Sequence, residues 1–154
     1  MIDRRAFYDA RARFRPRESG RAYQRLLQRY YAFLVPPGAN VLEVGCSLGD
    51  LLAAVKPARG VGMDFSPKMI ELARERHPEF KLQVADAAEF SAQEQFDYIL
   101  LSDLVNDLPD VQAVLERLRA DAHPRTRLVL NFFNNLWRPL LNAGTKLGLK
   151  APTP

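Results

Sequence analysis

Residues 41–52 read VLEVGCSLGDLL, and this stretch decides the fold. Its first four residues have the length and apolar character of a short buried strand, and a helix is expected to begin at Asp50. Gly45 and Gly49 lie between the two elements, where small residues allow the backbone to turn sharply and to approach a ligand closely. The unpaired N–H groups at the start of the helix then point toward that ligand. The pattern is typical of a turn that binds a nucleotide-like molecule.

A second strand ends in a carboxylate beside the same turn. Residues 60–64 read GVGMD, and Asp64 follows Gly45 by 19 positions. In a strand–helix–strand unit this spacing places Asp64 next to the glycine turn, where its carboxylate can accept hydrogen bonds from both hydroxyls of a ribose. We therefore expect a ligand with an unphosphorylated ribose.

These segments and two further ones resemble the class I S-adenosylmethionine-dependent methyltransferases. The family's first motif, an acidic residue followed by G-x-G-x-G, stands here as Glu43, Gly45, Ser47 and Gly49, with serine at the central glycine. LQVADA at 82–87 resembles the next motif, and QFDYILLSD at 95–103 resembles the fourth strand, whose end lines the reacting pocket. The resemblance covers residues 20–133.

The resemblance implies S-adenosyl-L-methionine as the cofactor and a set of residues that contact it. Asp86 would accept a hydrogen bond from the adenine amino group, and the backbone N–H of Ala87 would meet the ring. Asp103 and Asn106, after the fourth strand, are the candidates for touching the methyl acceptor. The cofactor-binding residues implied are Glu43, Gly45, Cys46, Ser47, Gly49, Asp64, Phe65, Met69, Asp86, Ala87 and Ser102.

Each of these features also has a purely structural interpretation. The glycine turn could be a tight connection without a ligand, and Asp64 and Asp86 could each initiate a turn or cap a helix. Against this, three acidic strand ends, Glu43, Asp64 and Asp86, fall on the carboxyl edge of one predicted parallel sheet. Ligands bind along that edge where the strand order reverses.

The remaining pattern predicts an α/β fold of the Rossmann-like, three-layer α/β/α type. Strands are expected near 40–44, 60–64, 80–84, 96–101 and 126–133, with helices near 49–56, 67–76, 109–120 and 135–148. Regular alternation implies right-handed crossovers and a parallel sheet, here with the order 3-2-1-4-5. We divide the chain into a basic arm, 1–19, and a cofactor-binding domain, 20–154.

The C-terminal end departs from the family pattern. A complete class I methyltransferase carries a C-terminal antiparallel hairpin, and no strand-like run follows Phe133. We therefore expect a domain that is C-terminally incomplete and transfers little methyl. Its fifth strand is an exposed edge that can pair with a second copy. Residues 134–141 resemble the tail of bacterial methyltransferases associated with glycosyltransferases.

Composition indicates one intracellular domain. The chain has 154 residues, of which 47% are hydrophobic, and this is enough for one buried core. Cys46 is its single cysteine, so disulfides are not expected. There is no apolar run of membrane-spanning length and no cluster with metal-ligand spacing. We expect a cytoplasmic protein without a metal.

The N-terminal region is strongly basic. Residues 1–30 contain nine arginines against Asp3, Asp9 and Glu18. Such an arm can bind an anionic partner, or it can be a solvated helix face. Within it, residues 20–35 have apolar residues at helical spacing and are expected to pack on the sheet as an amphipathic helix. These apolar residues are Tyr23, Leu26, Leu27, Tyr30, Tyr31 and Leu34.

Three functions are consistent with these observations. The first is a methyltransferase acting on a small-molecule, lipid-linked or sugar-containing acceptor. The second is a binding module that retains the cofactor but lacks catalysis. The third is a nicotinamide-dependent oxidoreductase, which Asp50 disfavours because its carboxylate would stand at the third glycine of the nicotinamide fingerprint and face the pyrophosphate.

Overall fold

The computed structural model of the chain describes residues 18–132 and residue 143. Most of the basic arm and nearly all of the helix expected at 135–148 therefore lie outside the described residues. So does the end of the expected fifth strand at Phe133.

A five-stranded parallel sheet organises the chain, in the order β3-β2-β1-β4-β5. The predicted fold class and strand order are confirmed. Four strands lie within two residues of their predicted positions at both ends. The strands are β1 (Asn40–Val44), β2 (Arg59–Asp64), β3 (Lys81–Val84), β4 (Phe96–Ser102) and β5 (Ala122–Asn131).

The fifth strand begins earlier than predicted. It pairs with β4 at Ala122, opposite Phe96, and the register then shifts before pairing resumes at Arg127 opposite Tyr98. Pro124 has no N–H to donate and stands in this irregularity, so the strand pattern in the sequence is recognisable only after it. The Thr126 hydroxyl spans the gap by donating to the Phe96 carbonyl oxygen over 2.6 Å.

Within residues 18–132, four helices cover the two faces of the sheet. They are α1 (Glu18–Leu34), α2 (Asp50–Ala54), α3 (Pro67–Arg76) and α4 (Val111–Leu118), with 3₁₀ turns at Val105–Asp107 and Arg119–Asp121. Ser66 accepts a hydrogen bond from the Met69 N–H at the start of α3, with Pro67 at the first helical position. Asp110 caps α4 by accepting from the Ala113 N–H over 2.9 Å.

The core consists of two apolar layers, one on each face of the sheet. On one face, Tyr31, Leu52 and Ile70 bring α1, α2 and α3 against the strands. On the other face, Phe96 and Val114 belong to a layer that α4 and the segment before β4 cover. The three-layer arrangement predicted from alternating strands and helices is therefore present.

The buried face of α1 is narrower than the sequence pattern indicated. Leu27, Tyr31 and Val35 are directed at the sheet, four residues apart. By contrast, several of the apolar residues expected to pack on the sheet are exposed, together with Phe33. The exposed fractions are 48% for Leu26, 59% for Tyr30, 86% for Phe33 and 49% for Leu34. Apolar periodicity identified the helix, but only packing decided which side faces the sheet.

Within residues 18–132, β5 pairs with β4 alone and is an edge of the sheet. Leu128 and Leu130 are 43% and 38% exposed on it. Pairing with a second copy through this edge stays a prediction. Among the described residues, no helix has the length and apolar character needed to cross a membrane.

We predict that Gly62→Ala destabilises the fold because β2 has no room for a side chain at this position. A Cβ on Gly62 would lie 2.7 Å from Leu82 Cδ2 and 2.9 Å from Cys46 Sγ. Overpacking of this kind costs about 1–3 kcal/mol. Urea denaturation should show the loss, whereas Glu75→Ala on the exposed side of α3 should change the midpoint little. An unchanged midpoint for Gly62→Ala would show that the core accommodates the methyl group.

Candidate functional site

The glycine turn lies between the ends of β2 and β4. Gly45 and Gly49 have φ values of 76° and 77°, and Ser47 has 48°, so the turn uses the left-handed region three times. The N–H groups of Gly45 and Cys46 both donate to the Met63 carbonyl oxygen, over 2.8 and 2.9 Å. A Cβ on Gly45 would lie 3.0 Å from Leu104 Cδ1. The turn is therefore held to β2 and contacts the segment after β4.

Asp64 is fixed at the end of β2 by backbone donors. Its carboxylate accepts from the Ser47 N–H over 3.0 Å and from the Ser66 N–H over 2.9 Å. Only 7% of the residue is exposed. The sequence placed this carboxylate beside the glycine turn, and the structure joins the two directly through Ser47.

Glu43 is a buried carboxyl at the end of β1. It is 2% exposed, and its Oε2 atom has no hydrogen-bond partner within the described part of the chain. Burial raises the pKa of this carboxyl well above its ordinary value, and a backbone hydrogen bond from Leu52 opposes the shift. Nearby Asp64 adds to the rise in pKa. Burying a polar atom without a partner costs free energy, so a further donor to the Oε2 atom of Glu43 would be stabilising.

Cys46 lies in the same turn but turns its side chain into the core. It is 3% exposed, and a Cβ on Gly62 would lie 2.9 Å from its Sγ atom. Burial raises the pKa of the thiol, because the thiolate would lie in an apolar environment beside Glu43. The residue therefore presents only its backbone to the turn.

Asp86 and Ala87 follow β3 at the same edge. The Asp86 carboxylate is exposed and accepts from the Ala88 N–H over 2.9 Å, while its carbonyl accepts from the Glu89 and Phe90 N–H groups. This is the turn-initiating role that the sequence allowed for Asp86. Ala87 is buried in the layer on the α4 side of the sheet. Contact of either residue with a ligand stays a prediction.

Three further predicted residues lie around the turn. The Ser47 hydroxyl is 3.5 Å from the sulfur of Met69, which is 6% exposed on α3. Phe65 follows Asp64 directly and is half-buried, and Ser102 ends β4 opposite Asn131. The three acidic strand ends, Glu43, Asp64 and Asp86, lie at the carboxyl edge of β1, β2 and β3, and cofactor contact by the predicted residues stays a prediction.

Asp103 stands at the centre of a hydrogen-bond network that the sequence did not reveal. Its Oδ1 atom accepts from the Tyr23 hydroxyl over 2.8 Å and from the side-chain amide of Asn131. The side-chain oxygen of Asn131, Oδ1, in turn accepts from the Tyr31 hydroxyl over 2.7 Å and from the Asp103 N–H over 3.3 Å. Tyr23 and Tyr31 belong to α1, so the network ties this helix to the ends of β4 and β5.

Protonation within the network follows from burial. Burial raises the pKa of the Asp103 carboxyl, and hydrogen bonds from Tyr23 and Asn131 oppose that rise. Burial also raises the pKa of Tyr31 to about 12 and that of Tyr23 further still, the latter with a contribution from Asp103. Both phenols therefore remain hydrogen-bond donors at neutral pH.

Asn106 lies exposed in the 3₁₀ turn at Val105–Asp107, which follows Leu104, the residue that contacts the glycine turn. Contact of Asp103 or Asn106 with the methyl acceptor stays a prediction.

The residues that sequence reasoning missed are Asn131 and Tyr31. Asn131 interrupts an otherwise apolar run, LVLNFF at 128–133, and a polar residue in a buried-type strand was the available signal. Tyr31 was read as an apolar residue of an amphipathic helix. Tyr23 was expected to pack as an aromatic ring, and its hydroxyl bond to Asp103 was not anticipated.

The two histidines lie outside this arrangement. His77 contacts Asp50, 3.1 Å away, and His123 contacts Asp97, 3.3 Å away. In the described ranges, no group of three or more His, Cys, Asp or Glu side chains is arranged to hold a metal ion.

We predict a pH-dependent stability difference between the wild type and Glu43→Gln. Near pH 4.5, the ordinary pKa of this carboxyl, ionisation begins in the unfolded chain but not in the folded protein, whose pKa is higher. As pH rises from there toward the folded-state pKa, unfolding releases a proton and the wild type loses stability relative to Glu43→Gln. Urea denaturation of both proteins across this range measures the effect. A difference that stays constant with pH would contradict it.

Comparison with known proteins agrees with this geometry. A family model described as "Methyltransferase domain" matches residues 42–128, which is more than half of the chain. Trans-aconitate 2-methyltransferase of Variovorax paradoxus is 31% identical over 88% of this chain and 53% of its own length. Demethylmenaquinone methyltransferase of Oceanobacillus iheyensis is 26% identical over 62% of this chain and 44% of its own length.

A solved structure extends the likeness to the fold. The N-methyltransferase NodS of Bradyrhizobium japonicum WM9, in complex with S-adenosyl-L-homocysteine, superposes with a TM-score of 0.69 at 19% identity. The match covers 82% of this chain and 71% of that one. The chain spans about half the length of the curated relatives it matches. The family match, the curated relatives and the shared fold together show that this chain belongs to the methyltransferase domain family.

Proposed function

We propose that the chain is the cofactor-binding part of an S-adenosylmethionine-dependent methyltransferase that acts on a small-molecule, lipid-linked or sugar-containing acceptor. One observation carries the proposal: the glycine turn and Asp64 are joined by the Ser47 N–H, so a ribose-binding carboxylate and a close-approach turn form one unit. Family membership supports it.

The residues at this edge fit the cofactor. A side chain on Gly45 would crowd Leu104 and would require an unfavourable backbone conformation, so this position of the turn needs glycine. Asp64 is held at the strand end and suits ribose hydroxyls, while Glu43 carries an unsatisfied Oε2 atom that suits a donor reached directly or through water. Asp86 and Ala87 follow β3, on the side where the adenine would lie.

The chain's own contribution to methyl transfer is binding and alignment. S-adenosylmethionine, when bound, supplies a methyl group that is already activated by its sulfonium. The residues therefore have to hold the cofactor, orient an acceptor behind the methyl carbon and exclude water, and positioning of this kind supplies on the order of 7 kcal/mol in favourable cases. The segment from Ser102 to Asn106 follows β4, and its Leu104 lies beside Gly45, so we propose this segment as the part that contacts the acceptor.

Relatives support the acceptor class. The names of two of them identify trans-aconitate and demethylmenaquinone as acceptors, one a small polar acid and the other a lipid-soluble quinone precursor. We propose a small-molecule or lipid-linked acceptor for this chain by extension. We also propose a cytoplasmic location, since Cys46 is a single buried thiol, and an anionic partner for the arginines before residue 20.

A cofactor-binding module without catalysis is the alternative that the sequence allowed, and the methyltransferase family match does not favour it. Transfer of a radioactive methyl group from S-adenosylmethionine to a pool of small-molecule acceptors separates the two candidates. Binding with no transfer supports the module, and turnover supports the enzyme.

We predict that Asp64→Asn weakens binding of S-adenosylhomocysteine by about tenfold to a hundredfold. Hydrogen bonds to a charged group contribute about 1.5–3 kcal/mol, and the variant removes the charge and leaves one oxygen to accept from Ser47 or Ser66. Isothermal titration calorimetry measures the affinity, and circular dichroism checks the fold. Asp97→Asn, at the amino-terminal end of β4, is the matched control, and it should bind S-adenosylhomocysteine with wild-type affinity. Unchanged affinity in folded Asp64→Asn would refute the ribose assignment, and tight binding of NAD would refute the choice of cofactor.

A further inference from the structure

Asp103 occupies a position that its surroundings hold rigidly. It follows β4 with a φ of 54°, a left-handed conformation that costs a non-glycine residue free energy and persists where contacts enforce it. The enforcing contacts are Asn131, which accepts from the Asp103 N–H, and Tyr23, which donates to its carboxylate. Such outliers concentrate at functional sites. The neighbouring Leu104 touches the position of Gly45, so this strained residue stands beside the glycine turn.

The carboxylate is held through one oxygen only. Tyr23 and Asn131 both donate to Oδ1, and Oδ2 accepts no hydrogen bond within residues 18–132. Asp103 also forms no ion pair in the described part of the chain, and Asp107 contributes to raising its pKa. Within residues 18–132, Asp103 therefore presents an oriented acceptor atom without a cation next to the turn.

We propose that Tyr23 and Asn131 are positioning residues that hold Asp103 toward the methyl-transfer position, and that the acceptor presents an amine there. The inference rests on the proposed function. A neutral amine would donate an N–H to Asp103 Oδ2 and keep its lone pair for the methyl carbon. As the N–C bond forms and the sulfonium S–C bond breaks, the electron pair of that bond would stay on sulfur and the nitrogen would become a cation beside Asp103, later releasing a proton to solvent. An acceptor carboxylate at the same place would bring two like charges together and leave Oδ2 without a donor. The acceptor class thus differs from the acid named for the trans-aconitate relative.

Tyr23 acts on the site through α1. Its phenol remains protonated, because burial and Asp103 both raise its pKa, and so it remains a donor to Oδ1. Loss of the phenol oxygen removes one of the two bonds that orient the carboxylate while the helix itself stays packed through Leu27, Tyr31 and Val35. Tyr23→Phe should therefore change charge recognition more than it changes stability.

Two cofactor analogues test the proposal without an identified acceptor. Sinefungin carries an ammonium group where the cofactor has its methyl-bearing sulfonium, and S-adenosylhomocysteine is uncharged there. The acceptor nitrogen must approach this same position, so a carboxylate that receives an acceptor amine also stabilises the sinefungin ammonium. We expect the wild type to prefer sinefungin, and Asp103→Asn to reduce the ratio of the two affinities about tenfold.

The two tyrosine variants distinguish a positioning role of Tyr23 from a general loss of structure. Tyr23→Phe should lower the ratio in the same direction by a smaller factor, and Tyr30→Phe, the same change at an exposed position of α1, should leave it unaltered. A purely structural role would weaken both ligands equally and would not move the ratio. Calorimetry on the full chain gives both affinities, and circular dichroism reports folding.

Each outcome decides one claim. A ratio that is unchanged in folded Asp103→Asn, with both ligands bound by the wild type, overturns the amine inference while the proposed function stands. A ratio that falls in Asp103→Asn but not in Tyr23→Phe overturns the positioning role of Tyr23. Failure of the folded wild type to bind either ligand overturns the proposed function, and the inference falls with it. If Asp103→Asn does not fold, the wild type decides the amine inference: a wild type that binds S-adenosylhomocysteine as tightly as sinefungin overturns it.

Discussion

Two backbone hydrogen bonds, from Gly45 and Cys46 to the Met63 carbonyl oxygen, are the interaction on which the site depends. They hold the turn after β1 against the end of β2, and so they fix where the glycines, Ser47 and Asp64 stand relative to one another. The left-handed conformations at Gly45 and Gly49 make this approach possible, because larger residues adopt them with strain. Without these bonds, the acidic strand ends would share an edge but would not form a unit.

The same edge concentrates carboxylates that experience different environments. Burial raises the pKa of Glu43, whose Oε2 atom has no hydrogen-bond partner among the described residues, whereas the Asp64 carboxylate accepts from two backbone N–H groups. The environment of Asp103 is intermediate: the residue is half-buried, and among the described residues its carboxylate accepts hydrogen bonds through Oδ1 alone. Carboxylates in distinct environments can take distinct roles, and we propose that Asp64 accepts from the ribose and Asp103 from the methyl acceptor.

Helix α1 precedes the first strand, and its side chains reach the carboxyl edge of the sheet. Its buried side reaches the sheet through Leu27, Tyr31 and Val35, and its hydroxyl groups reach Asp103 and Asn131. One helix therefore both covers the core and orients a polar group at the site. The exposed Leu26, Tyr30 and Phe33 show that the apolar pattern on this helix is wider than the sheet requires.

The sequence by itself determined the order of the strands, the glycine turn and the edge on which the candidate site residues lie. It could do so because each depends on local pattern: apolar runs set the strands, glycines set the turn, and parallel strands bring their carboxyl ends to one edge. Only the tertiary structure decided which side of α1 is buried, where β5 begins and how Asp103 is held. These depend on contacts between residues far apart in the chain, such as Tyr23 with Asp103 and Tyr31 with Asn131, for which periodicity carries no signal.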